Sequence, residues 1–267
     1  MLSFPNAKIN LGLDVTARRP DGYHDLETVF YPVKIFDALE CTEATHTRCL
    51  VAGNDIPDDG RDNLVLRAFK LVSADYAVPP QEINLLKRIP VGAGLGGGSA
   101  DAAFLIRLLN EKFALGMSSA QMQDYARQLG ADCAFFINNV PVLASGRGDV
   151  FEPFPIDLSA WFLVVVKPPV HVSTADAYAR IKPEKPLTSL RETLHLPPTT
   201  WKNRVFNSFE QSVFDLYPEI SQIKADLYHA GAVFALMSGS GSSVFAIFSE
   251  PVKLQELEQN NLVYYNI

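Results

Sequence analysis

The 267 residues predict an α+β fold, and three observations carry that prediction. Polar and apolar residues alternate over 7–13, which is the period of a strand. Apolar residues recur at helical spacing over 104–109 and again at Ile220, Ile223 and Leu227. The last part of the chain reads as helix, strand, turn, strand, with every strand short.

Taken in order, the strand over 7–13 puts Lys8 and Asn10 on one face and Ile9 and Leu11 on the other. Asp21-Gly22 is a turn signal, and 26–33 is an extended apolar segment. A polar loop is expected over 53–61, a helix over 63–76 and a strand over 83–86. Ser118 and Gln121 form a capping-box pattern for a helix over 118–129, with Gly130 as its C-cap. A short buried strand begins near Trp161 and stops at Pro168-Pro169. The proline-rich stretch 182–198 reads as connecting chain. A helix over 218–229 and strands over 233–237 and 244–248 complete the chain. Pro153 and Pro155 mark a boundary, giving expected domains of 1–156 and 157–267.

Composition narrows the function classes. Hydrophobic residues make up 48% and charged residues 20%, the balance of an ordinary globular protein. The net charge of −7 argues against nucleic acid or an anionic membrane as partner, because those leave a basic footprint. It leaves room for a small anionic ligand held by local amides and one or two lysines. No apolar run approaches a membrane-spanning length. The first apolar stretch is broken by Asn6, Lys8 and Asn10, unlike a secretory signal, so a cytoplasmic location is expected. Cys41, Cys49 and Cys133 lack Cys-x-x-Cys spacing and are expected to be reduced. No His-x-x-x-His pair suggests zinc.

The most informative segment is Pro90-Val91-Gly92-Ala93-Gly94-Leu95-Gly96-Gly97-Gly98-Ser99-Ala100. Five of its first nine residues are glycine, and it leads into an apolar helical run. Glycine lets successive amides turn toward one point, and a helix N-terminus adds free N–H groups and a positive dipole end. Loop and helix together suit a polyphosphate, with Ser99 at or near the N-cap. A Walker loop is excluded, since no lysine lies between Lys87 and Lys112. A dinucleotide fingerprint can be read from Gly92 to Gly97, but no clear βαβ unit surrounds it. Asp101 sits in the first turns of the helix, where a bound phosphate would repel it, so its side chain is expected to point away.

Two more segments carry chemistry. Asp132 lies between a helix end and the apolar run 133–136, a position that on its own suits a surface or capping aspartate. The run 238–243 holds only glycine and serine between two strands, more than a hairpin needs, and implies close approach of backbone to a ligand.

Pro-x-Gly-x-Gly-Leu-Gly-Gly-Gly-Ser resembles the ATP-phosphate loop of the GHMP kinases. The Lys8 strand, Asp132 and the 238–243 loop follow in that superfamily's order. The segment Asp21-Gly22-Tyr23-His24, with Asn207-Ser208-Phe209-Glu210 further on, is similar to the branch acting on a cytidine-diphospho polyol. The resemblance covers the whole chain. It implies an N-terminal domain like ribosomal protein S5 and a ferredoxin-like C-terminal domain. It also implies transfer of phosphate from ATP, with Mg²⁺, to a polyol hydroxyl on the non-mevalonate route to isoprenoid precursors. Asp132 is then the general base and Lys8 its electrostatic partner. Residues 90–100 hold ATP, and Ser99 is the residue placed to touch the metal. Asn10, Gly239 and Ser240 face the substrate. Tyr23, His24 and Tyr178 stand at its cytidine end; read without the resemblance, Tyr178 is an ordinary core tyrosine. Another small-molecule GHMP kinase, or a catalytically silent sensor on the same scaffold, is the alternative reading. The sequence specifies no oligomeric state.

Overall fold

The computed structural model describes residues 1–54, 63–186 and 188–267. Most of the expected loop over 53–61 lies outside the described residues. In chain order the elements are β1 (Leu2–Ser3), β2 (Asn6–Arg18), β3 (His24–Phe36), β4 (Ala38–Glu43), β5 (Arg48–Gly53), α1 (Leu64–Asp75), β6 (Gln81–Lys87), α2 (Gly97–Lys112), α3 (Ser119–Leu129) and α4 (Phe135–Asn138). Then come β7 (Val142–Ser145), β8 (Val150–Pro153), β9 (Phe162–Lys167), α5 (Thr174–Ala179), α6 (Leu190–Leu194), α7 (Glu210–Leu216), α8 (Pro218–His229), β10 (Phe234–Met237), β11 (Val244–Phe248), α9 (Gln255–Glu258) and β12 (Leu262–Tyr265). The α+β class is therefore observed. Residues 131–134 form a short 3₁₀ helix before α4.

The chain divides into two compact units. The first comprises Met1–Lys8, Ile35–Val91 and Gly96–Val140, and the second Ile9–Lys34, Gly92–Leu95 and Pro141–Ile267. The first unit is built on the sheet β1-β4-β6-β5, antiparallel except for the parallel pair β5 and β6. Strand alternation puts Leu39, Cys41, Ile83 and Leu85 on its buried face, with Leu39 opposite Leu85 and Cys41 opposite Ile83. The helices α1, α2 and α3 pack together in the same unit. α2 is buried almost all round, from Ala100 to Ile106 and at Leu108 and Leu109, so its sequence shows little polar stripe. The capping box of α3 is formed as expected: Ser118 accepts the Gln121 amide, and the Gln121 side chain accepts the Ser118 amide.

The second unit contains the sheets β2-β3-β7-β8 and β10-β11-β9-β12. In the latter, β9 lies between β11 and β12, antiparallel to both. Its core joins Val164, Val166, Ala235 and Val244 to Ile220, Ile223 and Leu227, the stripe that identifies α8 in the sequence. Leu13 and Val15 of β2 belong to this same core. The Leu13 amide donates to the Phe206 carbonyl at 2.9 Å, and Leu13 accepts from the Ser208 amide at 2.8 Å.

β2 is buried from Asn6 to Val15, Lys8 and Asn10 included. One local expectation is corrected. The stretch 182–198 contains α6, capped by Ser189, whose side chain accepts the Glu192 amide.

Candidate active site

The chemistry-bearing residues of the first unit gather at the start of α2 and the end of α3. α2 opens with Gly96 in the left-handed region, φ 71°, as N-cap; Ser99 is the third helical residue, near the N-cap and not at it. A side chain at Gly96 would press on Phe136 Cζ at 3.0 Å and on the Lys8 chain at 3.2 Å, which is why no Cβ is present. No side chain among the described residues caps this end, and the first amides of a helix have no partner within it. Such a terminus, with the positive end of the dipole behind it, is suited to an anion.

α3 stops at Gly130, and the 3₁₀ turn that follows presents Asp132. Its Oδ2 lies 3.4 Å from Lys8 Nζ. The Lys8 side chain is 4% exposed and that of Asp132 35%, so the cation is sealed while the carboxylate remains reachable. Cys133, next in sequence, is buried. Burial pushes the Cys133 thiol up to about 11, so it stays protonated. All three cysteines are free.

Beneath the start of α2 lies a group that sequence reasoning missed. Lys87, at the end of β6, bonds Asp37 and Asp101. The side chains of all three are at most 2% exposed. Asp101 is thus turned into the core, as expected. Burial pushes its carboxyl up to about 7, against the pull of Lys87. Asp37 and Asp101 are remote from Lys87 in sequence, and no spacing rule would join them.

In the second unit, residues 92–95 of the glycine loop are knit to the 238–243 run. Gly94 has φ 75°, and a Cβ there would overlap the Ser238 carbonyl. Ser238 Oγ donates to the Gly94 carbonyl at 2.9 Å and accepts the Asn10 amide at 3.3 Å. The Asn10 side chain donates to Thr28 Oγ1 at 2.9 Å. Asn207 Nδ2 donates to the carbonyls of Met237 and Gly239, at 2.7 and 2.8 Å, and thereby holds the turn. Ser240 Oγ lies 3.2 Å from Thr174 Oγ1.

The same unit brings His24 and Tyr178 together. Their rings stack at 5.1 Å and 26°, and Tyr178 meets Phe209 edge-on at 4.7 Å. Tyr23 is 59% exposed, with the Arg147 guanidinium 5.4 Å from its ring centre. The structure therefore joins Lys8 with Asp132, His24 with Tyr178, and Asn10 with the 238–243 run. Thr28, Asn207 and Arg147 contact these residues; Thr28 and Asn207 lay in segments whose pattern drew attention, and Arg147 did not.

Among the described residues, no group of three or more His, Cys, Asp or Glu side chains is placed to hold a metal ion. No helix among them is long and apolar enough to cross a membrane.

The family described as GHMP kinases N terminal domain matches residues 63–140, and GHMP kinases C terminal matches 198–263. The 4-diphosphocytidyl-2-C-methyl-D-erythritol kinase of Bacteroides fragilis is 51% identical over 262 residues, 97% of this chain and 96% of that protein. The enzyme of the same name from Parabacteroides distasonis is 49% identical over 256 residues, 96% of this chain and 94% of that one. A crystal structure of a 4-(cytidine 5'-diphospho)-2C-methyl-D-erythritol kinase superimposes with a TM-score of 0.85 at 31% identity, covering 99% of this chain and 98% of the other. The chain belongs to the 4-diphosphocytidyl-2-C-methyl-D-erythritol kinase family, within the GHMP kinases.

Proposed function

We propose that this protein transfers the γ-phosphoryl group of ATP to the 2-hydroxyl of 4-(cytidine 5'-diphospho)-2-C-methyl-D-erythritol, a step toward isoprenoid precursors by the non-mevalonate route. The observation that carries the reading is the Lys8–Asp132 pair at 3.4 Å, in the same unit as the start of α2, whose N-cap Gly96 offers no side-chain bond to the first amides.

Asp132 accepts the hydroxyl proton as the oxygen–phosphorus bond forms, and ADP leaves with the electrons of the broken bond. A positioned base of this kind contributes a factor of about 10² to 10⁴. Lys8 supplies positive charge beside the base and toward the transferring phosphoryl group. The amides of 96–99 bind the phosphates, with Ala100, whose amide donates to the Gly96 carbonyl at 2.9 Å, lining the same turn; Pro90 and Val91 lead into them, and 92–95 with the 238–243 run shape the remaining backbone. The rest of the catalysis is positioning and electrostatics, as is general for phosphoryl transfer. Mg²⁺ neutralises phosphate charge when bound. The donor set fits an ion held by phosphate oxygens, water and at most Ser99, since this metal keeps several waters and needs no protein cage.

His24 and Tyr178 supply ring faces and hydrogen-bonding edges for cytosine, and Tyr23 adds a third ring. Asn10, Gly239 and Ser240 face the polyol. The two domains are taken as 1–156 and 157–267, with the substrate as a small-molecule partner and the cytoplasm as the compartment.

The test is ADP release, coupled to an optical readout, with the cytidine-diphospho polyol, mevalonate, homoserine and galactose as acceptors. Turnover with the first alone is expected. Turnover with one of the others, and none with the cytidyl compound, would assign a different acceptor.

A further inference from the structure

We infer that Lys87 is a positioning residue for nucleotide binding, acting through Asp37 and Asp101 to hold the entry and exit of the phosphate loop in register. This rests on reading 90–100 as the ATP-phosphate loop.

The geometry is specific. Lys87 is 2% exposed, and a lysine is almost never so buried without partners. Its ammonium bonds Asp37 Oδ2 on one side and Asp101 Oδ2, at 2.7 Å, on the other. Asp37 Oδ1 accepts the amides of Arg88 and Ile89, the latter at 2.8 Å. One carboxylate therefore grips both the ammonium and the two amides just ahead of Pro90. Asp101 stands in the second turn of α2. Its tie to Lys87 sets the rotation and height of that helix start against the end of β6. A Cβ on Gly97 would lie 3.1 Å from Lys87 Nζ, so the ammonium sits directly against the first helical residue. On the other side of the loop entry, Lys87 O accepts the Asn54 amide at 2.9 Å, and the Asn54 side chain donates to Arg88 O at 3.1 Å.

Stability alone is a poor reason for this cluster. Buried ion pairs repay their desolvation cost incompletely, and apolar replacements of like volume are often as stable or more so. Here two carboxylates face one ammonium, and Asp101 Oδ1 is buried without a hydrogen-bond partner. What the ions do provide is direction: charged hydrogen bonds fix the loop ends where apolar packing would let them slide. Helix amides grip phosphate only at hydrogen-bond distance, and a displacement of about 1 Å can cost 10²-fold in an oriented site.

The test is the double variant Lys87→Met/Asp101→Asn. It removes the ammonium together with one carboxylate and leaves Asp37 bonded to two amides. Binding of a fluorescent ATP analogue is measured without acceptor, so the result is independent of which alcohol is phosphorylated. KM values for ATP and for the cytidyl substrate are measured alongside the melting temperature. The expected result is ATP-analogue affinity and KM for ATP weakened by about tenfold or more, with KM for the cytidyl substrate within about twofold. Nucleotide affinity within twofold of wild type in a folded variant would overturn the inference. So would a rise in both KM values together that simply tracks the melting temperature. Should the double variant not fold, Asp37→Asn, which keeps the amide acceptor and loses only the charge, is judged by the same outcomes.

Discussion

Lys8 Nζ and Asp132 Oδ2, from the first strand segment and the middle of the chain, stand 3.4 Å apart, the cation sealed and the carboxylate open. That asymmetry suits a base that must meet a substrate proton while its partner stays dry. Asp132→Asn keeps size and shape but cannot take a proton. It should lower kcat by about 10² to 10⁴ and leave KM for ATP nearly unchanged. Steady-state kinetics decide the matter, and near-normal kcat would refute the assignment.

If the two residues work as one unit, their losses are not additive. Lys8→Met alone should also lower kcat strongly. In the Asp132→Asn background it should cost much less, because the group it serves is already gone. A double-mutant cycle gives the answer, and full additivity would mean that Lys8 acts elsewhere.

The His24–Tyr178 stack predicts a different signature. His24→Ala and Tyr178→Ala each remove one ring of the pair. Each should raise KM for the cytidyl substrate more than it lowers kcat, by about 5- to 30-fold if stacking with a base is lost at about 1–2 kcal/mol. Tyr178→Phe keeps the ring and should stay within about twofold. Equal weakening of ATP and cytidyl substrate would argue against a cytidine-side position.

Much of this was legible because it is local. The capping box at Ser118 and Gln121, the stripe Ile220, Ile223, Leu227 and the alternation over 7–13 are properties of neighbouring residues. The start of α2 was located only to within a turn because Gly96 caps by backbone conformation and leaves no side-chain signature, whereas Ser99 looks like a cap. The partners of the polar face of β2, Thr28 and Asp132, come from distant segments, so alternation shows the face but not what it meets. The Lys87 cluster joins three segments whose spacing carries no period. β5 is short and exposed along most of its length, so burial imposes no alternation on it.

Gly94 offers a backbone test of the loop. Alanine there must adopt φ 75° and push its Cβ into the Ser238 carbonyl, which is backbone and cannot rotate away. The left-handed conformation alone costs about 1–2 kcal/mol, and the overlap adds to it. Gly94→Ala should weaken binding of an ATP analogue by about tenfold or more and lower the melting temperature. Gly98→Ala is the control: it is helical, and the nearest contact to a new Cβ is Leu64 at 3.6 Å. That variant should gain up to about 1 kcal/mol of stability instead of losing it. Identical behaviour of the two would mean that Gly94 is not under steric demand.

Asp14 sets a pH dependence unrelated to the chemistry. It is buried on β2 and lines a cavity of about 620 Å³ with Glu184, Glu192 and Arg204. Desolvation, with a smaller push from Glu27, raises its carboxyl from 3.8 to about 6. The fold therefore favours the protonated form. That contribution is fully present below pH 3.8 and is lost as pH rises through 6, so above pH 6 the fold carries an unfavourable charge. A displacement of this size corresponds to about 3 kcal/mol, and access of water through the cavity reduces it to about 1. Asp14→Asn removes the charge at constant shape. It should be more stable than wild type by about 1 kcal/mol at pH 8, with the difference shrinking toward zero at pH 4. Urea unfolding of both proteins at the two pH values measures it. A difference that does not change with pH, or one that favours the carboxylate at pH 8, would show that Asp14 finds a partner in solution.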